Sequence, residues 1–366
     1  MERRKVGILG ATGMVGQRFI QLLSNHPWFE ITWLAASDRS AGKRYDEACR
    51  WKLDTPLPER IAAMTLMPNL PEATPHGELP RIIFAALDAG IAHDLEPKFA
   101  AAGCAVISNS SAFRMTTDVP LVVPEVNADH LALIEQQSWR RESGGYIVTN
   151  PNCCAIGLVL ALAPLERRFG IDKLFVSTLQ AVSGAGYPGV ASLDILGNVI
   201  PFIKNEEEKL QEEIGKLLGA LAGDHIRMLD APLSAHCNRV PVIDGHTECV
   251  SIQLRTPATH EQILAAWAEF QPLHAIHEGH ALPSAPTQPV EYVDAIDRPQ
   301  PRLDLMRGNG MTTTVGRLRP CSLFDWKFVL LSHNTIRGAA GAAVLNAEIL
   351  AMLGKLDWSR WKPVQA

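Results

Sequence analysis

The first part of the chain alternates short, almost wholly apolar runs with amphipathic stretches: Lys5 to Leu9, Gln17 to Leu23, Ile31 to Ala36, then Arg81 to Leu87, Ala92 to Ala102 and Ala105 to Ser108. An apolar run of strand length with no polar alternation predicts a strand covered on both faces, and the stretches between have helical period. This βαβ rhythm predicts a parallel, doubly wound sheet of the Rossmann type.

After about Asn150 the pattern changes to longer strand candidates, Leu174 to Val182 and Thr247 to Leu254, with helices expected over Ala155 to Arg168 and Glu206 to Leu221. These predict an α+β second domain built on a mixed sheet, over 151–333, following a first domain over 1–150. The Ala- and Leu-rich stretch Asn334 to Leu353 reads as one long helix, so 334–366 is expected to return and complete the first domain. Pro283 to Pro301, rich in proline and polar residues, reads as a structureless functional loop, interface arm or disordered segment. No internal repeat is visible.

Composition narrows the class. Of 366 residues, 47% are apolar and 20% charged, as in an ordinary globular enzyme. The run Ile156 to Pro164 stops at Glu166, Arg167 and Arg168, short of a membrane span, and MERRKVGILG has no export-type apolar region, so a cytoplasmic location is expected. A net charge of −5 and no basic cluster argue against nucleic acid as a partner. The seven cysteines are scattered without the paired spacing of a zinc site, so no metal is expected.

Two motifs carry chemistry. Gly10-Ala11-Thr12-Gly13-Met14-Val15-Gly16 follows a strand and opens a helix, where glycines permit a tight turn and close approach of a pyrophosphate to the helix amides. At the end of the second strand stand Ser37, Arg39 and Ser40, whose hydroxyls and guanidinium suit the 2′-phosphate of NADP, with Asp38 the one residue there that suits NAD. The second motif, Asn150-Pro151-Asn152-Cys153-Cys154, precedes a helix. A cysteine at a helix N-terminus feels the macrodipole and free amides, which favour thiolate and could also hold an oxyanion.

GATGMVG followed by NPNC resembles the aspartate-semialdehyde dehydrogenases, in the archaeal and fungal branch, and the resemblance runs in order along nearly the whole chain. It implies that Cys153 is the nucleophile, although Cys154 replaces the Ser or Thr often found there. Asn238-Arg239 to His246 resembles the family's pairing of an arginine that clamps the substrate α-carboxylate with the catalytic acid/base. A histidine suits that task because its ordinary pKa lies near neutrality, whereas the plain reading of one of twelve histidines is structural.

Other motifs extend the resemblance. Arg114 matches the arginine that holds the leaving phosphate. Glu206 and Lys209 match an acid for the substrate amine and a lysine that assists with phosphate, though Glu206 to Glu208 would also serve as plain dipole-complementing acids of a first helical turn. Gln180 matches the residue that orients the acyl intermediate. Ser183, Gly184 and Asn334 match contacts near the nicotinamide.

The activity implied is NADPH-dependent reductive dephosphorylation of L-4-aspartyl phosphate to L-aspartate 4-semialdehyde, in lysine, threonine and methionine biosynthesis. The enzyme would be a homodimer or homotetramer whose second domain is catalytic and dimerising. The alternatives are a malonyl-CoA reductase of the same superfamily and a non-catalytic relative that serves as an interaction protein. N-acetylglutamyl-phosphate reductase fits less well, since its motif is NPGC-like.

Overall fold

The computed structural model describes residues 2–75, 77–272 and 282–360. Strands β1 (Arg4–Leu9), β2 (Phe29–Ala36), β3 (Met67–Pro68), β4 (Ile82–Ala85), β5 (Ala105–Ser108) and β6 (Tyr146–Thr149) form one parallel sheet in the order β3-β2-β1-β4-β5-β6. Helix α1 (Met14–Leu23) follows β1 and α2 (Ala89–Ala101) follows β4. Alternate strand residues enter different cores: Ile8, Phe84, Ile107 and Val148 pack with Phe19 of α1, while Leu9, Ile83, Val106 and Ile147 pack with Phe99 of α2. Both faces are covered, which is why these strands read as unbroken apolar runs.

The second sheet is mixed. Helix α3 (Cys153–Phe169) leads into β7 (Ile171–Gln180), and α4 (Glu206–Leu217) into a small antiparallel pair, β8 (Ala220–Ala222) and β9 (His225–Arg227). Then come β10 (Leu233–Arg239), β11 (His246–Leu254), α5 (His260–Ala268), β12 (Val290–Val293), β13 (Thr313–Pro320) and β14 (Trp326–Ser332). The order is β10-β7-β11-β14-β13-β12. Burial alternates along β11, with one face packed beneath α3, and that alternation marks a sheet with one open side.

Three elements differ from the sequence expectation. Helix α4 stops at Leu217 instead of Leu221, because Gly219 lies against the backbone of Arg227 (2.6 Å from an added Cβ to its carbonyl oxygen) and the next residues pair as β8. Pro283 to Pro301 is not structureless: Val290–Val293 pairs in parallel with Thr313–Gly316 and closes the sheet edge. The closing helix begins at Ile336 with a π turn (Ile336–Ala340) before the α-helix α6 (Gly341–Met352). Residues 361–366 of the expected C-terminal element lie outside those described.

Helix α6 is buried along nearly its whole length in the α1 side of the first core. Glu348 ties it down by accepting from the Ser284 amide and pairing with His26 at 2.8 Å. At its π turn Arg337 donates two hydrogen bonds of 2.7 Å to the Glu125 carboxylate, both side chains being fully buried. Removing one partner of such a pair leaves a buried charge uncompensated. Arg337→Met should therefore lower the free energy of unfolding by about 3–5 kcal/mol in denaturant melts; a loss below about 1 kcal/mol would contradict this account of how the closing helix is fixed.

Candidate active site

Cys153 is the first residue of α3 and Asn152 is its cap. The Asn152 Oδ1 accepts from the amides of Cys154 (2.8 Å) and Ala155 (3.3 Å). This narrows the expectation of a row of free amides: two of the first-turn donors are taken, and the Cys153 N–H is the one Asn152 leaves. Asn152 also donates from Nδ2 to Glu206 (2.8 Å) and from its backbone N–H to Glu213 (2.6 Å).

The partner of Cys153 comes from the ends of the second sheet. Strands β10 and β7 run parallel with Arg239 opposite Gln180, and β11 starts at His246 on the other side of β7. His246 Nε2 lies 3.2 Å from the Cys153 Sγ, and its Nδ1 accepts from the Ala181 amide at 3.0 Å. Arg239 donates to the Ala181 carbonyl (2.8 Å). Gly184 fits between the two side chains: a Cβ there would lie 2.8 Å from Arg239 Nη1 and 3.1 Å from His246 Nε2.

The Cys153 thiol is held well below the ordinary thiol range. The Cys154 thiol bonded to it is the largest cause, followed, against the opposing effect of burial, by the His246 interaction and the Arg114 charge. Cys154 itself is pushed well up, chiefly by burial. Glu206 is also raised, by burial first and then by the Cys153 charge, while its carboxylate accepts from Asn152 and from Gln180 (3.2 Å).

On α4, Glu206, Lys209, Glu213 and Lys216 lie at helical spacing on one side. Glu213 bridges Arg114 Nη1 (2.8 Å) to the Asn152 amide. Lys216 donates to the carbonyls of Arg114, Thr116 and Val119 at 2.7 to 2.8 Å and so fixes the loop that carries Arg114. Sequence reasoning missed Glu213 and Lys216, yet their spacing from Glu206, interleaved with the buried Leu210, Ile214 and Leu217, was the available signal.

Glu248 was missed too. It is fully buried two residues after His246 on the same strand face, and neither carboxylate oxygen has a hydrogen-bond partner among the described residues. Burial, then the charges of Cys153 and Glu206, push this carboxyl well above its usual range. The alternation of β11 was the signal for it.

A cavity of about 400 Å³ brings Cys153, Arg114, Lys209, Ser183, Gly184 and Asn334 together with Met14 and Val15 at the start of α1. Asn334 donates to the Ser183 Oγ (2.7 Å) and accepts from the Gly245 amide (2.8 Å). The π turn closes one wall, where a Cβ at Gly338 would stand 2.8 Å from that of Cys153. Gln180, Arg239 and Glu206 are buried and do not line this cavity, and Ser37, Arg39 and Ser40 occupy a largely exposed loop after β2, also outside its lining. A larger space of about 640 Å³ lies elsewhere, between Lys173, Phe175 and Phe324 on the open face of the second sheet.

The α1 turn fits a dinucleotide phosphate. Gly13 caps the helix without any side-chain hydrogen bond, so the first amides are not occupied from that residue, and nothing but the Gly10 carbonyl, at 3.5 Å, would meet a Cβ there. Gly10 has φ +73°, and a Cβ on it would sit 2.4 Å from the Ala86 carbonyl oxygen. A Cβ at Gly16 would sit 2.3 Å from the Gly10 carbonyl oxygen, so this glycine seats the helix on the turn.

Residues 5–134 match the family described as semialdehyde dehydrogenase, NAD binding domain, and residues 162–337 match semialdehyde dehydrogenase, dimerisation domain. The chain is 50% identical over 348 residues to the aspartate-semialdehyde dehydrogenase of Archaeoglobus fulgidus, covering 95% of this chain and 98% of that protein. It is 46% identical over 366 residues to the enzyme of Candida albicans, covering 96% and 98%. Among solved structures, the Candida albicans aspartate semialdehyde dehydrogenase with NADP superposes with a TM-score of 0.86 at 45% identity, over 95% of this chain and 98% of that one. The Vibrio cholerae aspartate semialdehyde dehydrogenase II complexed with ASA gives 0.74 at 27% identity, over 96% and 99%. Likeness at this level along both domains makes this chain a member of the aspartate-semialdehyde dehydrogenase family.

Proposed function

We infer that this chain reduces L-4-aspartyl phosphate to L-aspartate 4-semialdehyde with NADPH, releasing phosphate, through a thioester on Cys153. The observation that carries this reading is the Cys153 sulfur, 3.2 Å from His246 Nε2, opening into a cavity that also holds Arg114, Lys209 and the start of α1. A lowered thiol beside two cations suits attack on a phosphorylated acyl carbon.

The roles follow from position. The Cys153 thiolate attacks the acyl carbon. Arg114, oriented by Glu213, and Lys209 neutralise the phosphate as it leaves. Arg239 takes the α-carboxylate, Glu206 the amine, and Gln180, bonded to Glu206, orients the acyl group. NADPH, when bound along the Gly10 to Gly16 turn, supplies hydride to the thioester carbon. Thr12, Met14 and Val15 complete that turn, Ser37, Arg39 and Ser40 take the 2′-phosphate, and Ser183, Gly184 and Asn334 form the nicotinamide side. His246 is the acid–base group at the sulfur.

The first domain is read as 1–150 completed from Asn334 onward, and 151–333 as the catalytic and dimerisation domain. The match to a dimerisation domain and the apolar hollow on the open sheet face support a homodimer or a pair of dimers joined there. Seven free thiols and no described helix long and apolar enough to cross a membrane support a cytoplasmic location.

Two measurements test this. With aspartate semialdehyde, the purified protein should reduce NADP only when phosphate is present, and Cys153→Ser should lower that rate on the order of 10³-fold or more. No activity in either direction would contradict the assignment. In Cys154→Ala, the pH midpoint for alkylation of Cys153 should move up towards that of an ordinary thiol, because the thiol that bonds to the sulfur is gone. An unchanged midpoint would remove Cys154 from the account.

A further inference from the structure

We propose that Lys216 is a positioning residue for phosphate: it acts on the reaction through Arg114, by fixing the loop from which that guanidinium reaches the cavity. The inference rests on the reading of Arg114 as the phosphate cation given above.

Arg114 stands on a segment with little structure of its own. From Asn109 to Val119 the chain runs as turns and bends after β5, with Met115, Thr116 and Thr117 exposed. A guanidinium on a long stem is placed no better than the backbone that carries it. Lys216 supplies the hold that the loop lacks. It reaches out from the last turn of α4, only 3% exposed, and its N–H groups go to the carbonyls of Arg114 (2.7 Å), Thr116 (2.8 Å) and Val119 (2.8 Å). An ammonium has three donors and no acceptor, so the match is one for one.

The same helix holds the other end of Arg114. Glu213, three residues before Lys216 and on the same side of α4, accepts from Nη1 at 2.8 Å, and the Asn109 carbonyl accepts from Nη2 at 2.8 Å. Main chain and guanidinium are thus both tied to the helix whose first turns carry Glu206 and Lys209. The Nε–H has no partner among the described residues, so Arg114 keeps a donor for an anion once its position is set.

A loop that served only as a connection could leave these carbonyls to water, as surface turns do. Here they are drawn onto one buried cation, which burial, opposed by the charges of Asp118 and Glu213, lowers to about 8. Keeping that charge inside the fold costs free energy. What it secures is the seat of the arginine on the cavity wall.

Kinetics of the whole enzyme at pH 7, in the direction that consumes phosphate, test this with Lys216→Met, Arg114→Ala and the double variant. Lys216→Met should raise the KM for phosphate about tenfold, as for residues that share one network, and change the KM for NADP and kcat at saturating phosphate less than about twofold. With Arg114→Ala already present, Lys216→Met should lower kcat/KM for phosphate no further. A folded Lys216→Met with the wild-type KM for phosphate, a KM for NADP that rises as much, or an undiminished effect in the Arg114→Ala background would each overturn the proposal. Where circular dichroism shows Lys216→Met unfolded, Lys216→Gln, which still offers two N–H groups, carries the same comparison with a rise of about threefold. If neither variant folds, the lysine serves the fold and the proposal falls. Wild-type protein without phosphate-dependent activity would instead sink the functional reading.

Discussion

The site depends on the capping of α3 by Asn152. One side chain closes the first turn of the helix, accepting from two amides, while its own donors reach Glu206 and Glu213 on α4. Because Glu213 grips Arg114, this junction ties the start of α3, and so the Cys153 sulfur, to the Arg114 guanidinium. An Asn at an N-cap is ordinarily worth about 1 kcal/mol to a helix. Here it also fixes geometry, and a shift of Asn152 would move the sulfur, the acid and the guanidinium together.

Around this junction the fold keeps Cys153 at a seam. The first sheet ends in β6 just before it, and the second sheet contributes His246, Gln180 and Arg239 from strand ends. The closing π turn sets Gly338 against it, where no side chain could fit. The buried Arg337–Glu125 pair holds that turn. Placement of the Cys153 sulfur thus rests on packing and hydrogen bonds from both sheets.

Much of this was legible in the sequence because the signals were local. The first sheet showed as apolar runs broken by helical stretches, the glycine turn lay between strand and helix, and Asn152-Cys153 sat just ahead of an apolar helix. What was not legible came from contacts distant in sequence. β12 is a four-residue strand among prolines, recognisable only once β13 lies beside it. The occupation of the α3 amides depends on the rotamer of Asn152. Glu213 and Glu248 look like surface acids until α4 and β11 are packed. The π turn arises where Gly338 must pass close to Cys153, which no propensity records.

The central claim is that Cys153 carries the acyl group between phosphate release and reduction. Intact-protein and peptide mass spectrometry after rapid mixing with L-4-aspartyl phosphate, with no NADPH present, tests it most directly. The account predicts one aspartyl group per chain on the peptide containing Cys153, released as the semialdehyde when NADPH is added. An enzyme that turns over normally yet shows no adduct, or shows it on another residue, would contradict it.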